Sequence, residues 1–423
     1  MSRTVIIGID GVPYSLMKDL SDRGVMPNFK ELIKEGVFTR MRSSIPEISS
    51  VSWSSIITGK NPGEHGVYGF RDIIKGTYVV SFHDFRKLKA PAFWHVYNSK
   101  KYILINIPST YPAQKVNGIH ISGFVSPDLA KAVYPPSFLK ILKKMDYRID
   151  IDADRSRRYK NVLFRELFST LDARMKVFKY LNERLDWDFA MFVITGSDRL
   201  EHFLWDAYLD ENNEWHSPFL EFFKFVDDVI GYIVNNVMNE NDNLLIISDH
   251  GMEFSKFEIN VNALLVKEGY LVLKDDRRRG YNSIKYGSKA FALEPCRIYL
   301  NREGKYPRGC VKENEVDGLI DELVNLFYDL RVDGKRVVSK VYRKEEIYHG
   351  TYVDHAPDLV VVPAEGFSFN ARLFKENVIE KSSLPGKHNE EAFLYVRNGE
   401  GVVPNDPSVE DVISIVHELG GLS

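Results

Sequence analysis

The chain has 423 residues, 44% hydrophobic and 27% charged, the balance of a packed globular protein rather than a disordered or fibrous one. Lysine plus arginine (56) nearly matches aspartate plus glutamate (59), a formal charge of −3, too even to hold nucleic acid or anionic lipid by bulk attraction. The two cysteines, Cys296 and Cys310, form neither a disulfide framework nor a paired metal-ligand spacing, which points to a reducing, cytoplasmic setting.

The first residues run straight into an apolar strand, Thr4 to Ile9, without the pattern of a secretory leader, and Asp10 follows it directly. Serines and a threonine then cluster in the stretch from Ser43 to His65, ahead of a helix-like run from Val51 to Thr58. Tyr102 to Ile107 reads as a second buried strand and Leu163 to Leu181 as a helix with Leu167, Leu171, Met175 and Phe178 on one face. A third strand, Phe189 to Thr195, precedes Asp198, with His202 one helical turn further on. Pro218 to Met238 carries a long apolar stripe and should begin at an N-cap on Ser217. Asn243 to Ser248 is a fourth strand, and Asp249-His250-Gly251 turns out of it. Between Tyr270 and Tyr352 the core signal is weakest, so residues 270–352 read as an insertion or cap, with a strand at Cys296 to Leu300 and a helix at Val316 to Leu330. Leu359 to Val362 completes the strands.

Short buried strands alternating with longer helices give an α/β fold, a central, mostly parallel sheet sandwiched by helices. Length allows two or three domains, but nothing cuts the chain cleanly, which favours one domain over 1–423 with the cap inserted in it. No apolar run reaches the roughly 18 residues that a membrane helix needs.

Ligands of such a sheet bind beyond the carboxyl ends of its strands, and three of those ends supply aspartates: Asp10, Asp198 and Asp249. Carboxylates meeting at one edge repel one another unless a cation neutralises them, and His202 and His250 add imidazole nitrogens. Oxygen and nitrogen donors without thiolate suit zinc or manganese in a catalytic site. A serine at the start of the Val51 helix could ionise beside such a cation, or simply cap the helix.

The motifs GIDG (Gly8 to Gly11), WSSIITG (Trp53 to Gly59), NPGEHG (Asn61 to Gly66), SDRLEHFLW (Ser197 to Trp205), SDHGM (Ser248 to Met252), APDLVVVP (Ala356 to Pro363) and GKHNEEAFL (Gly386 to Leu394) resemble, in order and spacing, the alkaline phosphatase superfamily in its type I phosphodiesterase and nucleotide pyrophosphatase branch. The resemblance implies two divalent metal ions, zinc or manganese. One would be held by Asp10, Asp249 and His250 with Ser49 as nucleophile, the other by Asp198, His202 and His388. Ser50 is the neighbouring alternative nucleophile, and His65 resembles a structural turn residue. Where nucleotide pyrophosphatases place a phosphate-contacting asparagine this chain has Phe70, which leaves the backbone N–H of Ser50 and the side chain of Arg71 as candidates to hold that phosphate oxygen. The expected activity is hydrolysis of a small-molecule phosphate diester through a phosphoseryl intermediate. The alternatives are a phosphomonoesterase, a phosphonate hydrolase, a phosphomutase, or a non-catalytic nucleotide- or glycan-binding protein. Tyr14, Trp53, Phe70, Phe203, Trp205 and Tyr281 are candidate stacking residues for a base or sugar of the substrate.

Overall fold

Eight strands form the principal sheet of the computed structural model, which describes residues 2–82 and 84–422. In chain order they are β1 (Thr4–Ile9), β2 (Gly36–Arg42), β3 (Tyr102–Ile107), β4 (Gly118–Ser122), β5 (Val133–Tyr134), β6 (Phe189–Ile194), β7 (Asn243–Ile247) and β8 (Glu391–Arg397). Their spatial order is β2-β8-β7-β1-β6-β3-β4-β5. The five strands from β7 to β4 run parallel. Antiparallel strands finish both sides, β8 and β2 beyond β7, and β5 beyond β4.

Every residue of β1, β3 and β6 is buried, as strands covered on both faces must be. Ile6 packs on one face with Trp53, Ile56, Val412 and Val416. Val5 and Ile7, which alternate to the other face, are equally inaccessible. Four helices bear on the carboxyl edge of the sheet or on the residues gathered there: α1 (Ser49–Thr58), α2 (Lys160–Arg184), α3 (Gly196–Leu209) and α4 (His216–Asn236). The predicted helix at Pro218 is α4, but it starts earlier, capped at Trp215 rather than Ser217.

The chain divides into two compact units: Met1–Lys60, Asp84–Met252 and His388–Ser423 in the first, Asn61–His83 and Glu253–Lys387 in the second. The principal sheet belongs to the first. The insertion expected over 270–352 falls wholly within the second unit, whose bounds are wider. Two expectations are corrected by the fold. The strand at Leu359 exists, as Leu359–Pro363, but it pairs with Arg297–Leu300 and Val338–Arg343 in a separate antiparallel sheet. The stretch read as poor in core residues supplies a core of its own, with Phe291, Ile298, Leu300, Leu323 and Phe327 fully buried.

Candidate active site

The parallel strands end at one edge, and that edge gathers the predicted ligands. Asp10 follows β1, Asp249 and His250 follow β7, Asp198 lies in the first turn of α3, and His388 lies just before β8. All of them, with Ser49 and His202, belong to the first unit. They fall into two clusters, Asp10/Asp249/His250 and Asp198/His202/His388, each with donor atoms within 4.8 Å of one another. The clusters share a wall, because the His250 and His388 rings stack with centroids 3.7 Å apart.

Local sequence explains why the first cluster is so tight. Gly11 has φ of +81°, a conformation that costs glycine little, and its N–H donates to Asp249 Oδ1 at 3.1 Å. A Cβ on Gly8 would lie 2.5 Å from the Trp53 ring, so that glycine makes room for the indole. Trp53 is fully buried and donates from Nε1 to Asp10 Oδ2 at 2.9 Å. The sequence suggested Trp53 as a stacking residue for substrate; instead it positions a carboxylate. Phe203 and Trp205 are also buried, and Tyr281 donates its hydroxyl to the Ala292 carbonyl within the second unit's core.

Ser49 opens α1, with Oγ 3.1 Å from His250 Nε2 and 3.5 Å from Asp10 Oδ1. Ser50 is inaccessible, and among the described residues its Oγ has no hydrogen-bond partner. Of the two serines, Ser49 is the one whose hydroxyl meets the cluster, and the positive end of α1 favours negative charge there.

The second cluster is more open. His202 Nε2 and His388 Nε2 lie 2.8 Å apart, and Asp198 Oδ1 lies 3.3 and 3.2 Å from them. Arg199 meets the other Asp198 oxygen, Oδ2, at 3.4 Å, and pairs with Asp150 at 2.8 Å.

Whether these residues suit a cation can be judged from their protons. His250 Nδ1 lies 3.1 Å from the Gly251 carbonyl and His388 Nδ1 2.6 Å from the Glu47 carbonyl. A carbonyl only accepts, so each Nδ1 carries the proton and each neutral ring turns a bare Nε2 toward its cluster. Burial, with Asp249 and Asp198 nearby, raises Asp10 well above the usual carboxylate range, and burial pushes Asp249 up to about 8. Burial also drives His250 well below the usual imidazole value and lowers His388. Burial opposes ionisation of Asp198 as well, but His202 and His388 outweigh it and hold that carboxyl well below its ordinary value. Bare nitrogens facing crowded buried carboxylates are what a divalent cation satisfies, so the donor set fits metal at both clusters.

Sequence reading missed Glu201, wholly buried, with neither carboxylate oxygen hydrogen-bonded among the described residues. Burial and the three site aspartates raise it well above the usual range. His65 closes the four-residue helix Pro62–His65 rather than lying in a turn, and its Nδ1 accepts from the Val67 N–H. Phe70 and Arg71 lie in the second unit, where Arg71 pairs with Glu294 at 2.6 Å. Among the described residues no helix is long and apolar enough to cross a membrane.

A doubly covered sheet whose carboxyl edge presents a serine among clustered carboxylates and imidazoles is an α/β arrangement suited to metal-assisted hydrolysis. The chain belongs to the type I phosphodiesterase / nucleotide pyrophosphatase family, whose model matches residues 4–388. It is a hydrolase of phosphoric ester bonds, from a metal-dependent family with an alkaline phosphatase-like fold. Phosphonoacetate hydrolase from Sinorhizobium meliloti 1021, in complex with phosphonoformate, is similar in fold, with a TM-score of 0.68 at 16% identity over 100% of this chain and 96% of that one. Murine ectonucleotide pyrophosphatase / phosphodiesterase 5, an inactive form in complex with AMP, gives 0.58 at 15% identity over 100% and 96%. Its human counterpart gives 0.55 at 13% over 99% and 95%. Among curated protein sequences none matches this chain.

Proposed function

We propose that the protein is a phosphodiesterase that works through a covalent phosphoseryl intermediate on Ser49. The observation that carries this reading is the position of Ser49 Oγ, 3.1 Å from a bare imidazole nitrogen of His250 at the shared wall of the two clusters. Asp10, Asp249 and His250 would hold one divalent cation and Asp198, His202 and His388 a second, zinc by the reading of an oxygen and nitrogen donor set. When bound, such cations favour the ionised serine and neutralise charge on the phosphoryl oxygens.

The chain's own residues account for the rest. Trp53 and the Gly11 N–H hold Asp10 and Asp249 in place, so the serine meets a fixed field rather than mobile carboxylates. Attack by Ser49 Oγ forms the oxygen–phosphorus bond as the bond to the leaving oxygen breaks. Water then forms a new oxygen–phosphorus bond as the serine–phosphorus bond breaks, so two inversions give net retention.

A diester suits the local charge better than a monoester, which brings an extra negative charge to the site. Of the arginines that could neutralise it, Arg199, the one in the same unit as the clusters, is already committed to Asp150 and Asp198. Rates on bis-p-nitrophenyl phosphate and p-nitrophenyl phosphate under matched zinc should favour the diester. A large preference for the monoester would sink the diesterase assignment, and hydrolysis untouched by chelation would sink the metal one.

A further inference from the structure

The serine-rich stretch from Ser43 to Thr58 holds more hydroxyls than a nucleophile needs. Within α1, Ser54 and Thr58 do what hydroxyl side chains in helices commonly do and return their protons to the carbonyl one turn back, Ser54 to Ser50 at 2.7 Å and Thr58 to Ser54 at 2.6 Å. Ser52 turns its hydroxyl elsewhere. It is fully buried about one turn after Ser49, and its Oγ leaves the helix to meet Ser43 Oγ at 3.0 Å and Ser44 Oγ at 2.7 Å.

The available protons give these contacts a direction. Ser43 Oγ lies 2.8 Å from the Asp249 carbonyl, which only accepts, so the Ser43 proton is spent there. Ser52 must then donate to Ser43, and Ser44 in turn to Ser52, with the Pro46 carbonyl 3.1 Å from Ser44 Oγ as its other acceptor. The chain runs from Ser44 through Ser52 and Ser43 to the Asp249 carbonyl, and each hydroxyl that accepts becomes a better donor to the next. All three serines are buried, so water has little access to replace a missing link.

The linked pieces carry the reacting groups. Ser52 belongs to the start of α1, which presents Ser49, and the Asp249 carbonyl precedes His250, whose Nε2 lies 3.1 Å from Ser49 Oγ. The Ser43 N–H donates to the Glu390 carbonyl at 3.0 Å, two residues past His388, and the Glu47 carbonyl accepts from His388 Nδ1. The segment from Ser43 to Ile48 is thereby bonded to the chain around both clusters and leads directly into the nucleophile.

We propose that Ser43 and Ser52 are positioning residues, a buried hydroxyl link that holds the Ser49 end of α1 in register with the turn bearing Asp249 and His250. The inference rests on the phosphoseryl reading above and adds to it the residues that set the nucleophile's placement. Both act through others, Ser43 on a backbone carbonyl and Ser52 on Ser43. A nucleophile displaced by a fraction of an ångström loses kcat more than it changes KM.

The test compares Ser52→Ala and Ser43→Ala with Ser54→Ala, which removes an equally buried hydroxyl from the same helix. On bis-p-nitrophenyl phosphate with zinc, each of the first two should lower kcat by about 10- to 100-fold with KM moved by less than about threefold, while Ser54→Ala stays within about threefold of the unaltered enzyme in both. Ser43→Ala/Ser52→Ala should fall no more than about threefold below the worse single variant, because each change breaks the same link. Ser43→Thr keeps the hydroxyl just past the end of β2 and should recover the rate to within about threefold of the unaltered enzyme. Zinc competition with a chelator gives a readout apart from turnover: one of two ions should be held about tenfold more weakly in Ser43→Ala and Ser52→Ala and unchanged in Ser54→Ala. Should Ser52→Ala fail to fold, the Ser43→Ala and Ser43→Thr pair reads the same link from its other end. Rates and zinc affinities in Ser43→Ala and Ser52→Ala equal to those of Ser54→Ala, or losses that multiply in the double variant, overturn the link while leaving the phosphoseryl reading intact. Full activity in Ser49→Ala overturns that reading instead.

Discussion

The two ligand clusters have similar donors but opposite settings. Asp10, Asp249 and His250 are buried to within a few percent, and burial presses both carboxyls toward their protonated forms. Asp198 is nearly as enclosed, and burial opposes its ionisation, yet the partly exposed His202 and His388 beside it hold its carboxyl well below the ordinary value. The first cluster is therefore rigid and hungry for a cation, with Ser49 fixed against it. The second is more open to solvent, and Arg199 stands against the outer oxygen of its carboxylate. In the proposed mechanism two sites of similar composition would take on different work from burial and neighbours alone, one preparing the nucleophile and the other meeting the departing or entering group.

The sharpest way to break this division is at the nucleophile. Ser49→Ala should lower kcat on bis-p-nitrophenyl phosphate by about 10⁴-fold or more, whereas Ser50→Ala should keep most activity. Comparable losses from both would place the chemistry elsewhere on α1.

Metal stoichiometry separates the clusters next. Asp249→Asn and His202→Ala should each remove one of two bound zinc ions by elemental analysis after dialysis, with activity down by at least about 100-fold. Loss of both ions from either variant would mean a single shared centre.

The opposite charge settings also give opposite pH behaviour. In the metal-free protein Asp249, at about 8, and Asp10, also raised, keep protons that the unfolded chain releases near pH 4. The folded state then holds more protons between about pH 4 and 8, so its stability falls as pH rises through that window. Asp198 is depressed, so its contribution is lost only as pH drops below the ordinary carboxylate range. With chelator present, Tm should decline from about pH 5 to 8, and Asp249→Asn should flatten the decline. A Tm that climbs across that range would contradict the protonation assigned to the first cluster.

The smallest expected effect is at Trp53. Trp53→Phe removes one hydrogen bond to Asp10, a change of about 1.5 kcal/mol or roughly tenfold in kcat. An unchanged rate would show that Asp10 is held well enough by its other neighbours.

Much of this site was legible because aspartates immediately following buried strands of a parallel sheet have one edge to occupy. Asp10, Asp198 and Asp249 followed from that rule, while His388, far along the chain from His250, followed only from motif resemblance. Trp53 was misread although its signal was present: it lies four residues after Ser49, one turn along the same helix face. Its six-membered ring passes over Gly8, a long-range fit that helix periodicity does not encode. β2 went unseen because its residues are mostly half-exposed and carry Arg40 and Arg42, so it lacks a buried run. Leu359–Pro363 had the opposite problem, since a short apolar run reads the same in either of two sheets and only its pairing partners decide. The core around Phe291 and Leu323 was hidden by the polar turns and basic run interleaved with it.

The central claim is that Ser49 carries the phosphoryl group between two displacements. Enzyme mixed with a phosphate diester, quenched in acid during turnover and mapped by peptide mass spectrometry, tests it directly. A substrate-derived phosphoryl adduct on Ser49, absent from Ser49→Ala, is the predicted result. Turnover with no adduct, or with the adduct on Ser50, would contradict the account.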